Sequence, residues 1–189
     1  MLVGILALQG DFQEHAHTVE LLNLDYKLIK NDSDLDGISS MILPGGESTS
    51  MNIIQKNNNL FMEVKNLINS GLPTLGTCAG AILLSSNVIN TELEHLNVLN
   101  VTIERNAYGR QNESFEANVS IDSLPKEKYC FIRAPKFVSL GEDVEVIAKL
   151  NNEVVGVRQN NIVGFTFHPE LTPSPNYLNW LSNFIKKRD

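Results

Sequence analysis

The pentapeptide Gly76-Thr77-Cys78-Ala79-Gly80 constrains this chain more than any other stretch. It follows Leu72-Pro73-Thr74-Leu75, which reads as a short buried strand, and precedes Ala81-Ile82-Leu83-Leu84, which reads as the first turns of an apolar helix. A residue at such a joint, with glycine two positions to either side, sits on a turn too sharp for side chains at its flanks. That is the geometry of a nucleophile elbow with Cys in place of Ser. The turn lifts the sulfur clear of the sheet and aims the positive end of the helix at it, which favours thiolate over thiol. Backbone N–H groups from Ala79 onward can then face an oxyanion. The same five residues also suit a buried structural cysteine beside packing glycines.

The surrounding pattern is that of an α/β sheet. Residues 2–8 are an unbroken apolar run, as in a parallel strand buried on both faces, and Gln9-Gly10 ends it with a turn. Asp11 can cap the helix that follows, in which Phe12, Ala16, Val19 and Leu22 share one face. Of the four histidines, His15 and His17 on this helix and His95 in a polar stretch read as surface or half-buried residues. Strands over 26–29 and 38–43 complete a βαβ alternation, which predicts a parallel sheet with right-handed crossovers.

The third strand ends in Pro44-Gly45-Gly46-Glu47-Ser48-Thr49. Two glycines at a strand's C-terminal end permit close approach to a ligand, where open α/β sheets bind small molecules. They equally suit a tight turn with Ser48 as an N-cap. Residues 60–68 read as a helix closed by Gly71. Beyond Cys78 the chain is strand-rich, with runs at 98–103, 115–121, 129–132, 144–148, 154–157 and 162–167, before a last helix with Tyr177, Leu178, Leu181, Phe184 and Ile185 in a stripe. No linker divides it, so the expectation is one three-layer α/β domain over residues 1–189, a central, mostly parallel sheet flanked by helices.

At 189 residues and 42% hydrophobic, the chain can bury a full core. A net charge of −7 argues against nucleic acid or an anionic membrane as the main partner. Cys78 and Cys130 form no CxxC pair, so neither a disulfide scaffold nor a Cys-based zinc site is expected, and a reducing cytoplasm fits best. Cys130 reads as a core residue. The apolar start lacks a basic n-region and is read as a strand, not a signal peptide. No apolar run approaches the about 18 residues of a membrane span.

A cysteine nucleophile needs a base, and His168 stands apart from the other histidines. It follows the apolar strand Ile162-Val163-Gly164-Phe165-Thr166-Phe167 and is followed by Pro169-Glu170. Proline blocks helix formation and holds this segment extended, so His168 and Glu170 project to one side. Glu170 can then accept the Nδ1–H of His168 and turn Nε2 toward a thiol, giving a Cys-His-Glu triad.

At these residues the chain resembles the class I glutamine amidotransferases. Leu8-Gln9-Gly10-Asp11-Phe12-Gln13-Glu14-His15, Pro44-Gly45-Gly46-Glu47-Ser48-Thr49, Glu104-Arg105-Asn106-Ala107-Tyr108-Gly109-Arg110-Gln111, Phe131-Ile132-Arg133-Ala134-Pro135 and Phe167-His168-Pro169-Glu170-Leu171-Thr172 are similar to one family among them, the glutaminase subunits of pyridoxal 5′-phosphate synthase. The resemblance covers nearly the whole chain. It implies a flavodoxin-like fold and hydrolysis of L-glutamine to glutamate and ammonia by Cys78, His168 and Glu170, with no cofactor and no metal. It implies an oxyanion site at Ala79 and Gly46, and glutamine held by Gly46, Glu47 and Ser48 on one side and by Arg105, Ile132 and Arg133 on the other. Which arginine contacts the substrate stays open.

The implied partner is a synthase subunit, a (β/α)8 barrel that receives the ammonia through a channel. Docking on it would complete the oxyanion site, with Gly45-Gly46 as the switch and the first strand-turn-helix as the contact. The glutaminase of another amidotransferase, such as that of histidine biosynthesis, is the nearest alternative. A stand-alone cysteine hydrolase or a silent regulatory subunit fits the His168-Pro169-Glu170 segment less well.

Overall fold

The computed structural model describes residues 1–46, 59–89, 95–105 and 114–186. The apolar runs of the N-terminal half become β1 (Leu2–Leu6), β2 (Asp25–Ile29), β3 (Ser40–Leu43) and β4 (Thr74–Thr77), joined by helices α1 (Phe12–Leu21) and α2 (Leu60–Asn69). β4 starts two residues later than the sequence pattern suggests. Pro73 has no N–H to give the ladder, so it contributes only its carbonyl, which accepts from Met41 N at 2.8 Å. The strand therefore runs through Gly76 and Thr77 to the residue before Cys78. There α3 (Ala79–Leu84) begins.

The C-terminal half supplies β5 (Ser85–Ile89), β6 (Leu99–Glu104), β7 (Phe115–Ile121), β8 (Glu127–Phe131), β9 (Lys136–Leu140), β10 (Glu145–Leu150), β11 (Glu153–Gln159), β12 (Ile162–Phe165) and the final helix α4 (Pro175–Lys186). Among the described residues, one sheet has the order β2-β1-β3-β4-β12-β11-β10-β7-β8, and β5-β6-β9 form a second, smaller sheet. The first five strands of the large sheet pair in parallel, and β12 to β8 pair antiparallel. β5 and β9 have no clear sequence signature, since each needs β6 as a distant partner.

Two apolar clusters cover the two faces. One joins Ala16 and Val19 of α1 to Tyr177, Trp180, Leu181 and Phe184 of α4. The other joins α2 and α3 to the small sheet through Val64, Ile68, Leu83, Leu99, Val101 and Phe137. An aromatic stack runs through the first: Phe167 lies 4.8 Å from Phe165, 4.9 Å from Tyr129 and 5.5 Å from Phe131 between ring centroids. Burial of such rings stabilises by about 1.5–3 kcal/mol each, so the segment leading to His168 is firmly seated.

The antiparallel half also curls. β8, last in the sheet order, bridges back to His168, whose N–H donates to the Cys130 carbonyl at 2.9 Å. Strand twist accumulates over five strands until the edge returns to the sheet's middle.

α3 crosses the sheet so closely that a Cβ on Gly80 would run into the Leu43 carbonyl oxygen of β3. Gly80→Ala is therefore expected to lower stability by about 3 kcal/mol, read as an earlier midpoint in urea unfolding. An unchanged midpoint would mean that α3 is free to slide away from β3.

Candidate active site

The loops after β1, β3, β4 and β12 lie at the C-terminal ends of neighbouring parallel strands, the position at which open α/β sheets hold ligands. Cys78 occupies the joint between β4 and α3 with φ 49° and ψ −106°. For a residue with a Cβ this backbone costs about 1–3 kcal/mol. It is held there by its N–H, which donates to the Phe165 carbonyl of β12 at 2.8 Å, and by its own carbonyl, which accepts from Ile82 N at 3.2 Å. Ala79 opens α3, where the first N–H groups have no partner within the helix. The Cys78 thiol points toward the Ile132 carbonyl, 3.8 Å away at the end of the curled β8.

His168 is buried three residues past β12, and its Nδ1 lies 2.7 Å from Glu170 Oε1. Nε2 makes no hydrogen bond among the described residues, which leaves it as the ring nitrogen open to a thiol. The segment is not extended, as the sequence suggests, but a 3₁₀ turn over Pro169–Leu171. Proline's fixed φ suits a first helical position as well as an extended one. Glu170 reaches Nδ1 by the turn.

Two further groups complete the cluster. Asp11 stands at the N-cap of α1 but makes no side-chain cap; its Oδ2 lies 2.8 Å from His168 Nδ1 instead. His15, one helical turn on, is fully buried rather than half-exposed. Its Nε2 lies 3.0 Å from Thr77 Oγ1 and 3.6 Å from Glu170 Oε2. The sequence did carry a signal: His15 sits one turn before Val19 on the buried stripe of α1.

Burial sets the charges. It opposes the charge on His168, but the hydrogen bonds with Asp11 and Glu170, with the Cys78 thiol adding in the same direction, outweigh it and hold the imidazolium well above the usual histidine range. Burial also opposes the charge of Asp11, yet contacts with His168 hold its carboxyl well below the carboxylate range. Glu170 is pushed up to about 8, chiefly by burial. His15 is pushed down to about 4, again by burial. Asp11, His15 and Glu170 offer ligand atoms within 4.8 Å of one another. The His168 imidazolium already lies against Asp11 and Glu170, so the donor set favours this cation over a metal ion.

The Gly45-Gly46 turn packs over His168. A Cβ on Gly45 would meet His168 Cε1 at 2.5 Å, and Gly46 adopts φ 141° against the Gln9 carbonyl. Glu47 and Ser48 lie outside the described residues. Arg105 is half-buried just past β6, and Arg133 is exposed with φ 46° beside Ile132. Cys130 is half-buried, not a core residue, and its thiol lies 4.0 Å from Glu116.

The depressed pKa of His15 has a consequence for stability. The folded state keeps it neutral, while the unfolded chain takes up a proton near the ordinary histidine value of 6.5. Its contribution is complete above that pH and is lost as pH falls toward about 4, a change of about 3 kcal/mol. Urea unfolding at pH 7 and pH 4 should show the wild type losing about that much more than His15→Gln. Equal losses would mean that His15 is not held neutral.

Comparison with known proteins shows the family and the fold. The chain is 43% identical over 188 residues to a pyridoxal 5′-phosphate synthase subunit PdxT of Thermosipho africanus, covering 99% of this chain and 100% of that one. It is 45% identical over 174 residues to the protein of that name from Thermotoga petrophila, covering 91% and 93% of the two chains. A solved crystal structure of a glutamine amidotransferase superposes with a TM-score of 0.92 at 40% identity, over 98% of this chain and 99% of that one. With residues 5–187 matched by its model, the chain belongs to the SNO glutamine amidotransferase family.

Proposed function

We propose that this chain is the glutaminase subunit of a pyridoxal 5′-phosphate synthase, hydrolysing L-glutamine to glutamate and ammonia with Cys78, His168 and Glu170. The observation that carries the reading is a strained elbow cysteine at the end of a strand paired with the one that leads to an imidazole whose Nδ1 is held by a carboxyl group. The PdxT name of relatives that match nearly the whole chain supports the assignment to this pathway.

In the reaction, Cys78 as thiolate attacks the side-chain carboxamide carbon. The oxyanion so formed is stabilised by the Ala79 N–H and by the Gly46 loop. His168 Nε2 gives its proton to the nitrogen as the C–N bond breaks, releasing ammonia and leaving a thioester. Water then attacks the thioester with His168 as base, glutamate departs, and the thiolate is restored. Glu170 orients the imidazole. The residues invoked for glutamine binding are Gly46, Glu47 and Ser48 on one side and Arg105, Ile132 and Arg133 on the other, with an arginine on the α-carboxylate. The Ile132 carbonyl, beside the sulfur, supports a main-chain wall there.

The ammonia passes to a synthase subunit, a (β/α)8 barrel, which docks on the loop after β1 and the outer face of α1, where Gln13, Glu14 and Leu21 are exposed. Docking turns the Gly45-Gly46 peptide to complete the oxyanion site. A cytoplasmic location is supported by two free thiols and by the absence, among the described residues, of a helix long and apolar enough to cross a membrane.

Glutamate release by the purified chain, alone and with a pyridoxal 5′-phosphate synthase subunit, tests the assignment. Strong stimulation, abolished in Cys78→Ala, is expected; activity indifferent to the synthase would assign the glutaminase to another pathway. Arg105→Lys should raise KM for glutamine about tenfold with kcat little changed. An unchanged KM would remove Arg105 from the substrate site.

A further inference from the structure

Glu170 is one of two carboxyl groups on the same imidazole nitrogen. Asp11 Oδ2 lies 2.8 Å from His168 Nδ1 and Glu170 Oε1 lies 2.7 Å from it. One N–H cannot fully satisfy both. The two carboxyl groups also lie within 4.8 Å of each other in a buried pocket, where like charges repel. The lower-energy arrangement ionises one and leaves the other protonated. Asp11, partly exposed at the end of α1, is the easier to ionise, whereas Glu170 is enclosed, with His15 against its second oxygen.

We propose that Asp11 is a positioning residue for the base: as the ionised carboxylate of the pair, it shares the Nδ1–H of His168 with a protonated Glu170 and stabilises the imidazolium. Several features of Asp11 agree. It holds an N-cap position yet turns its carboxylate away from the helix to the histidine. A Cβ on Gly45 would lie 3.0 Å from both its oxygens, so the Gly45 loop packs directly on this carboxylate. His15, four residues on, keeps Glu170 and Thr77 in place from the same helix. The groups facing His168 are thus Asp11, Glu170 and Cys78, with His15 and the buried Tyr177 behind Glu170.

This inference rests on the glutaminase reading for its kinetics but not for its titration. Long-range ¹H–¹⁵N spectra of histidine-labelled protein should show His168 doubly protonated into the alkaline range. In Asp11→Asn its midpoint should fall by about one to two pH units, with Asp11→Glu restoring part of the shift. In the synthase-stimulated assay, Asp11→Asn should lower kcat at least about tenfold with KM held. A folded Asp11→Asn with an unmoved His168 midpoint would overturn the proposal. Should that variant not fold, the wild type carries the test, because the ¹³C signal of the Asp11 carboxylate must register the His168 step; a signal blind to it would overturn the proposal equally. If the wild type releases no glutamate, the glutaminase reading fails while the titration still decides the role of Asp11.

Discussion

The parallel pairing of β4 with β12 is the constraint on which the site depends. Thr77 and Phe165 are register partners at its end, and the Phe165 carbonyl receives the Cys78 N–H. One strand thereby hands over the sulfur and the other, three residues later, the imidazole. These strands are nearly ninety residues apart in sequence, so the closeness of Cys78 and His168 is a product of the sheet and not of any local motif. The aromatic stack around Phe167 fixes the second strand's exit, and the passage of α3 over β3 fixes the first. Both anchors act by packing, which tolerates little displacement.

A second dependence runs through the sheet's curl. Antiparallel strands β11, β10, β7 and β8 lead away from the centre, yet twist returns the last of them to the end of the sheet that carries His168. The Ile132 carbonyl beside the Cys78 thiol is therefore contributed by a sheet edge. Bridging to His168 also gives that edge a partner, so part of its backbone is not left to pair with another chain.

Much of this was legible in the sequence, for identifiable reasons. The strand-elbow-helix around Cys78 and the apolar strand before His168-Pro169-Glu170 are local patterns, and local patterns can be read. Strands β5 and β9 were not legible, because their pairing with β6 is a tertiary contact that no local pattern announces. The role of Asp11 was hidden by an alternative that local chemistry favours equally: an Asp at the start of a helix looks like a cap. Burial of His15 was visible only as its place on the stripe of α1, and a histidine there reads as an edge residue until the sheet supplies Thr77 and Glu170. Proline at position 169 admitted both an extended segment and a 3₁₀ turn, and tertiary packing chose the turn.

The backbone of Cys78 carries one more implication. Its positive φ and unusual ψ are tolerable for glycine and costly for any residue with a side chain. Exchanging Cys78 for glycine would thus relieve this backbone cost while the fold around it stayed intact. Under the glutaminase reading, reactivity and durability therefore pull this single position in opposite directions.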